Sequence, residues 1–104
     1  MNKSIKQAII KLTVEEINEA NKLISVHTLH RKYKDGSVID SWTVYFEDGC
    51  QADIKLVQAD SICYIDPVLF DENGCELIAG SPDKESIIGE YYFGTDYMVR
   101  IEAA

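Results

Sequence analysis

Basic residues are scarce in this chain: ten Lys and Arg stand against eighteen Asp and Glu, a formal net charge of −8. Such an excess weakens non-specific contact with nucleic acid and with anionic membranes, so nucleic acid is not the expected partner. Long apolar runs are missing too. No stretch approaches the roughly 18 residues that a membrane-spanning helix needs. The opening Met1-Asn2-Lys3-Ser4 leads into residues broken by Lys6, Gln7 and Lys11, unlike the unbroken apolar segment of a secretory signal. The expected location is the cytoplasm, with no membrane partner.

Cysteine and histidine are equally sparse. Cys50, Cys63 and Cys75 form an odd set without CxxC spacing, which argues against both a disulfide framework and a zinc knuckle. Their expected role is that of small, reduced, apolar side chains. The only histidines, His27 and His30, would point to opposite faces of a strand, so one metal ion could not bind both without a bulge. The six glycines are dispersed, which leaves no phosphate-cradling loop, and there is no G-x-S-x-G. Asp71-Glu72-Asn73-Gly74 superficially resembles a calcium loop. Counted from Asp71, however, its glycine is fourth and position twelve is Pro82, where an EF-hand needs glycine sixth and glutamate twelfth. No cofactor, metal or catalytic residue is expected, and the reading leans away from an enzyme.

What the chain does have is turns. Asp35-Gly36, Asp48-Gly49 and Asn73-Gly74 are each bracketed by runs rich in Val, Ile, Tyr, Phe and Trp. These dipeptides tolerate the positive φ of tight hairpin turns. Period-two patterning predicts strands over 26–33, 37–47, 50–57, 62–70, 75–79, 88–93 and 97–102. On the 37–47 strand, Val38, Trp42, Val44 and Phe46 fall on the expected inner side. Pro67 lacks a donor and predicts an edge or a bulge in its strand. Segment 44–50 echoes segment 68–75 with one residue inserted, which two hairpins of similar turn chemistry explain without duplication.

One helix is signalled clearly. In Leu12-Thr13-Val14-Glu15-Glu16-Ile17, Thr13 and Glu16 make a capping box, and Leu12 and Ile17 are spaced for a hydrophobic staple. The helix should run from about Val14 to Ile24 and bury Val14, Ile17, Ala20, Asn21 and Ile24 along one face. Residues 4–12 fit both helical and alternating spacing; a genuine cap at Thr13 favours a short strand before it. The sum is a single α+β domain over residues 1–104. Its N-terminal helix would pack on a six- or seven-stranded, mainly antiparallel meander sheet, as a sandwich or half-barrel.

Charge is uneven along the chain. Residues 1–34 hold seven Lys/Arg and three acids, a balance of +4; residues 35–104 hold three and fifteen, a balance of −12. The one basic patch, His30, Arg31, Lys32 and Lys34 with Tyr33 among them, is a candidate interaction surface, although Lys on a sheet edge also discourages stray pairing. Tyr91, Tyr92 and Tyr97 flank the last turn and are further surface candidates, since neighbours on a strand cannot all face inward. Cys63 and Asp66 are the candidates for a pocket between helix and sheet. The chain has the composition of a small bacterial or phage accessory protein. The leading expectation is a non-catalytic, inhibitory or protein-binding module with a protein partner. The alternatives are a small-ligand or enzymatic domain, and an architectural homo-oligomer joined through a sheet edge.

Overall fold

The computed structural model describes residues 4–25, 36–82 and 84–104. In these residues one helix and seven strands follow the order β1 (Lys6–Leu12), α1 (Val14–Leu23), β2 (Ser37–Tyr45), β3 (Gln51–Ala59), β4 (Ile62–Phe70), β5 (Glu76–Ala79), β6 (Gly89–Phe93) and β7 (Tyr97–Ala103). The α+β class is as expected, but the single meander sheet is not. The strands divide into a three-stranded sheet, β1-β7-β6, and a four-stranded sheet, β2-β3-β4-β5. Every antiparallel pair joins consecutive strands, as turn chemistry dictates. The exception joins the two ends of the domain: β1 runs parallel to β7, from Lys6 opposite Tyr97 to Leu12 opposite Ala103. No turn can announce a parallel pair, because its strands must be linked by a long crossover. The expected strand over 26–33 lies outside the described residues.

The start of α1 follows its sequence signal. The Thr13 hydroxyl accepts the Glu16 amide at 3.1 Å, and the Glu16 carboxylate accepts the Thr13 amide at 3.0 Å. Leu12 and Ile17, either side of the cap, are both buried in the core. Of the predicted apolar face only Ile17 and Ala20 are buried. Asn21 and Ile24 are half-buried, whereas Val14 is 67% exposed.

The main core joins both sheets, with a smaller cluster of Val57, Ala59 and Tyr64 apart from it. Ile10, Leu12, Phe93, Val99 and Ile101 from one meet Ala52, Ile54, Leu56, Ile65 and Leu69 from the other, with Ile17 and Ala20 of the helix. Trp42 and Val44 pack half-buried against it and Phe46 is buried, as the alternation predicts. Val38 departs from that face and is 55% exposed. A bulge between Val38 and Asp40 shifts the register, which brings Val38 opposite Val57 on the far side of the sheet.

The two echoing turns are the same structure. In one, the Phe46 amide bonds the Cys50 carbonyl and the Gly49 amide bonds the Phe46 carbonyl; in the other, Asp71 and Cys75, then Gly74 and Asp71, do the same. Gly49 and Gly74 sit at φ 92° and 84°, left-handed conformations that close a three-residue hairpin loop. The correspondence therefore sets Phe46 on Asp71, with no insertion inside the turn. Both turns lie at one end of the four-stranded sheet, where a side chain added at Gly49 would meet Glu72 Cβ at 3.3 Å.

Pro67 lies neither at an edge nor at a bulge. It sits buried in β4, between β3 and β5, opposite Ile54 in an unbroken register. Its carbonyl accepts the Gly80 amide at 2.8 Å, so its missing donor faces the β5 side, just where that strand ends at Ala79. The β3 ladder loses nothing. The fit is close: a Cβ on Gly80 would stand 2.8 Å from Pro67 Cγ and 3.3 Å from Phe93.

Candidate functional site

A polar cluster at the β2–β3 turn ties the two sheets together. Tyr97, first residue of β7, donates its hydroxyl to Asp48 Oδ2 at 2.5 Å, while Asp48 Oδ1 accepts the Cys50 amide at 3.0 Å. Cys50 Sγ is 3.5 Å from the same hydroxyl. Lys6 of β1 places Nζ 3.9 Å from Asp48 and 4.9 Å above the Tyr97 ring, which Phe46 meets edge-on at 5.0 Å between centroids. The Tyr97 hydrogen bond, then the Cys50 amide and more weakly Lys6, hold the Asp48 carboxyl below its usual range. The same bond to Asp48 pushes the Tyr97 phenol up, because ionising it would set two anions in contact. Chemically this is a donor clasped to an acceptor, an arrangement that fixes one sheet on the other.

The three tyrosine candidates have three different environments. Tyr91 is 2% exposed and donates its hydroxyl to the Ile87 carbonyl at 2.7 Å. Burial raises its pKa strongly. Tyr97 is half-buried in the cluster above. Only Tyr92, 53% exposed, turns its ring to solvent, and its hydroxyl is bonded to Glu90 at 3.1 Å. Glu90 is held in turn by Arg100 at 2.9 Å. The arginine and Tyr92 both lower the Glu90 carboxyl below its ordinary value.

Cys63 and Asp66 do not meet. Three apart on β4, they face opposite sides of the sheet: Cys63 enters the core beside Ile65 and Leu69, and Asp66 lies half-buried opposite Lys55 on the far side. The Cys63 carbonyl accepts the Ser25 amide at 2.7 Å, which fastens the chain after α1 to β4. Burial raises the Cys63 thiol, so it is less readily ionised than a free cysteine. Cys50 is also a buried free thiol, and Cys75 is free and exposed. The basic patch His30, Arg31, Lys32, Tyr33 and Lys34 lies outside the described residues.

Sequence reasoning missed the anchor at Ile87. This loop residue is fully buried; its amide donates to Asn21 Oδ1 of the helix at 2.8 Å, and its carbonyl takes the Tyr91 hydroxyl. Lys84 in the same loop sets its ammonium 4.7 Å above the Tyr91 ring, and burial lowers its pKa. The sequence signal that existed was an isoleucine inside a Ser- and charge-rich loop. Among the described residues no group of His, Cys, Asp and Glu is placed to hold a metal ion, and no helix is long and apolar enough to cross a membrane. Comparison with protein-family models, curated proteins and solved structures finds no match for this chain.

Proposed function

We propose that this chain is a non-catalytic binding module whose partner is a protein with a basic surface, engaged through the carboxylate-rich part that follows residue 34. The observation that carries this reading is the fate of its three cations there. Lys55 lies over the Phe70 ring at 5.4 Å, Lys84 over Tyr91 at 4.7 Å, and Arg100 is bonded to Glu90 at 2.9 Å. Each is engaged within the fold, against fifteen acids in the same stretch. A field of one sign attracts its opposite and speeds encounter, and it repels nucleic acid and anionic lipid. Exposed rings beside the charge, Tyr45 at 68% and Tyr92 at 53%, add contact area of the kind interfaces favour.

Affinity capture from the native host, compared with a Glu47→Gln/Glu72→Gln/Glu76→Gln variant, tests the reading. The expected result is a reproducible basic protein that elutes as salt rises and is captured poorly by the variant. Capture of no protein at any ionic strength, or equal capture by the variant, overturns it.

A further inference from the structure

We propose that the outer edge of β5 accepts an extended, Lys- or Arg-bearing segment of a partner protein as a fifth strand of the four-stranded sheet. This rests on the protein-binding reading and gives it a place and a chemistry. β5 ends the strand order of its sheet among the described strands, and all four of its residues are exposed, Leu77 at 48% and Ile78 at 36%. Of the devices that blunt a sheet edge, the run Cys75 to Ser81 lacks lysine and proline. What it carries, a short length, a register shift and the acidic Glu76, limits the length of an added strand and its charge rather than closing the edge. The edge also has its donors in place. The Gly80 amide bonds inward to Pro67, and Ile78 pairs with Leu69, so alternation turns the Ala79 amide and carbonyl outward.

Charge selects the occupant. Glu76 lies on the edge itself, Asp71 and Glu72 in the turn that leads into it, and Glu47 and Asp48 in the twin turn alongside. Lys6, the cation bound into that end, is already held by Asp48 and Tyr97. An incoming strand carrying lysine or arginine therefore meets carboxylates at one end and the apolar Leu77 and Ile78 at the other. A second copy of this chain would bring the same acids instead. The shortness of β5 and the register shift beside it, between Leu69 and Phe70, limit the added strand to a few residues. Short additions of this kind give main-chain affinity with specificity left to the side chains.

The test uses an eight-residue synthetic peptide of alternating lysine and valine, titrated into the full chain and followed by backbone amide chemical shifts. Two or three added main-chain bonds predict a dissociation constant of about 1 mM at best, which weakens with salt. Shifts should centre on Leu77 to Ala79. Ala79→Pro removes the outward donor and leaves the inward ladder intact, and should weaken binding at least about fivefold. Leu77→Lys changes an exposed side chain and the local charge, and carries the test if Ala79→Pro does not fold. Absence of binding at millimolar peptide, or undiminished affinity in folded Ala79→Pro, overturns the inference. So does concentration-dependent shifting of the same amides without peptide, which assigns the edge to a second copy. A basic host protein captured equally by wild type and Ala79→Pro sinks the edge and leaves the proposed function standing.

Discussion

Truncating Ile87 to alanine should destabilise this domain more than its position in a loop suggests. The side chain is fully buried in the core that joins both sheets to the helix. Deleting a buried isoleucine costs about 2–5 kcal/mol, and a site pinned from two directions can relax little, which favours about 3 kcal/mol. For a domain of this size that lowers the thermal midpoint by about 12–24 °C. The polar contacts are separable. Asn21→Ala leaves the Ile87 amide without its 2.8 Å acceptor, at about 1–3 kcal/mol; Tyr91→Phe keeps the ring and removes one hydroxyl, at about 1 kcal/mol. Because both grip one residue, the double mutant should deviate from additivity by about 0.5 kcal/mol or more. Urea melts followed by Trp42, the single tryptophan, measure all four variants. An Ile87→Ala unfolding free energy within about 0.5 kcal/mol of wild type would refute the anchoring of helix, loop and β6 through this residue.

Thr13→Ala removes the capping oxygen of α1 and should cost about 0.5–2 kcal/mol in the same melts. Trp42→Ala, which removes the tryptophan probe and so is melted by far-ultraviolet circular dichroism beside wild type, should cost more, about 2–3 kcal/mol, held below a fully buried tryptophan because the ring is half-buried against the core. Asp48 has its pKa lowered in the fold, so its contribution is present above the unfolded carboxyl pKa and is lost as pH falls through the folded one. Asp48→Asn should therefore flatten the acid limb of stability below about pH 4 in melts across pH; an unchanged acid limb counts against the clasp. Tyr91 and Tyr97 both have raised pKa values, Tyr91 through burial and Tyr97 through its bond to Asp48. Stabilisation from such groups is complete below the unfolded tyrosine pKa and lost as pH rises through the folded one. Tyr92 is raised as well, through its bond to Glu90, so ultraviolet titration should show at least three tyrosines that stay neutral beyond about pH 10 and ionise late or with alkaline unfolding.

Local physics was legible wherever a signal acts over a few residues. Thr13 and Glu16 form the capping box their spacing announces, because its bonds close within one turn. Asp48-Gly49 and Asn73-Gly74 close hairpins, since only their glycines take the positive φ that the loop requires. Alternation placed Ala52, Ile54 and Leu56 inward, and one bulge was enough to turn Val38 out of that pattern. Pro67 misled because a missing donor matters only on the side where a partner strand continues, and sequence does not give that side.

The candidate surfaces were legible only in part. Neighbouring Tyr91 and Tyr92 had to diverge, but which one turned inward depended on the opposing sheet. Cys63 and Asp66 were separated by strand parity once β4 was fixed in register between β3 and β5.

By itself, then, the sequence determined the helix with its cap, the hairpins and the acidic balance, all set by contacts or charges that need no distant partner. Only the tertiary structure decided that the strands split into two sheets, that β1 lies parallel to β7, and that Lys6, Asp48, Cys50 and Tyr97 meet. The physical reason is chain separation. Lys6, the turn that carries Asp48 and Cys50, and Tyr97 stand more than forty residues from one another, and burying two apolar sheet faces against each other, which no local pattern encodes, brings them together.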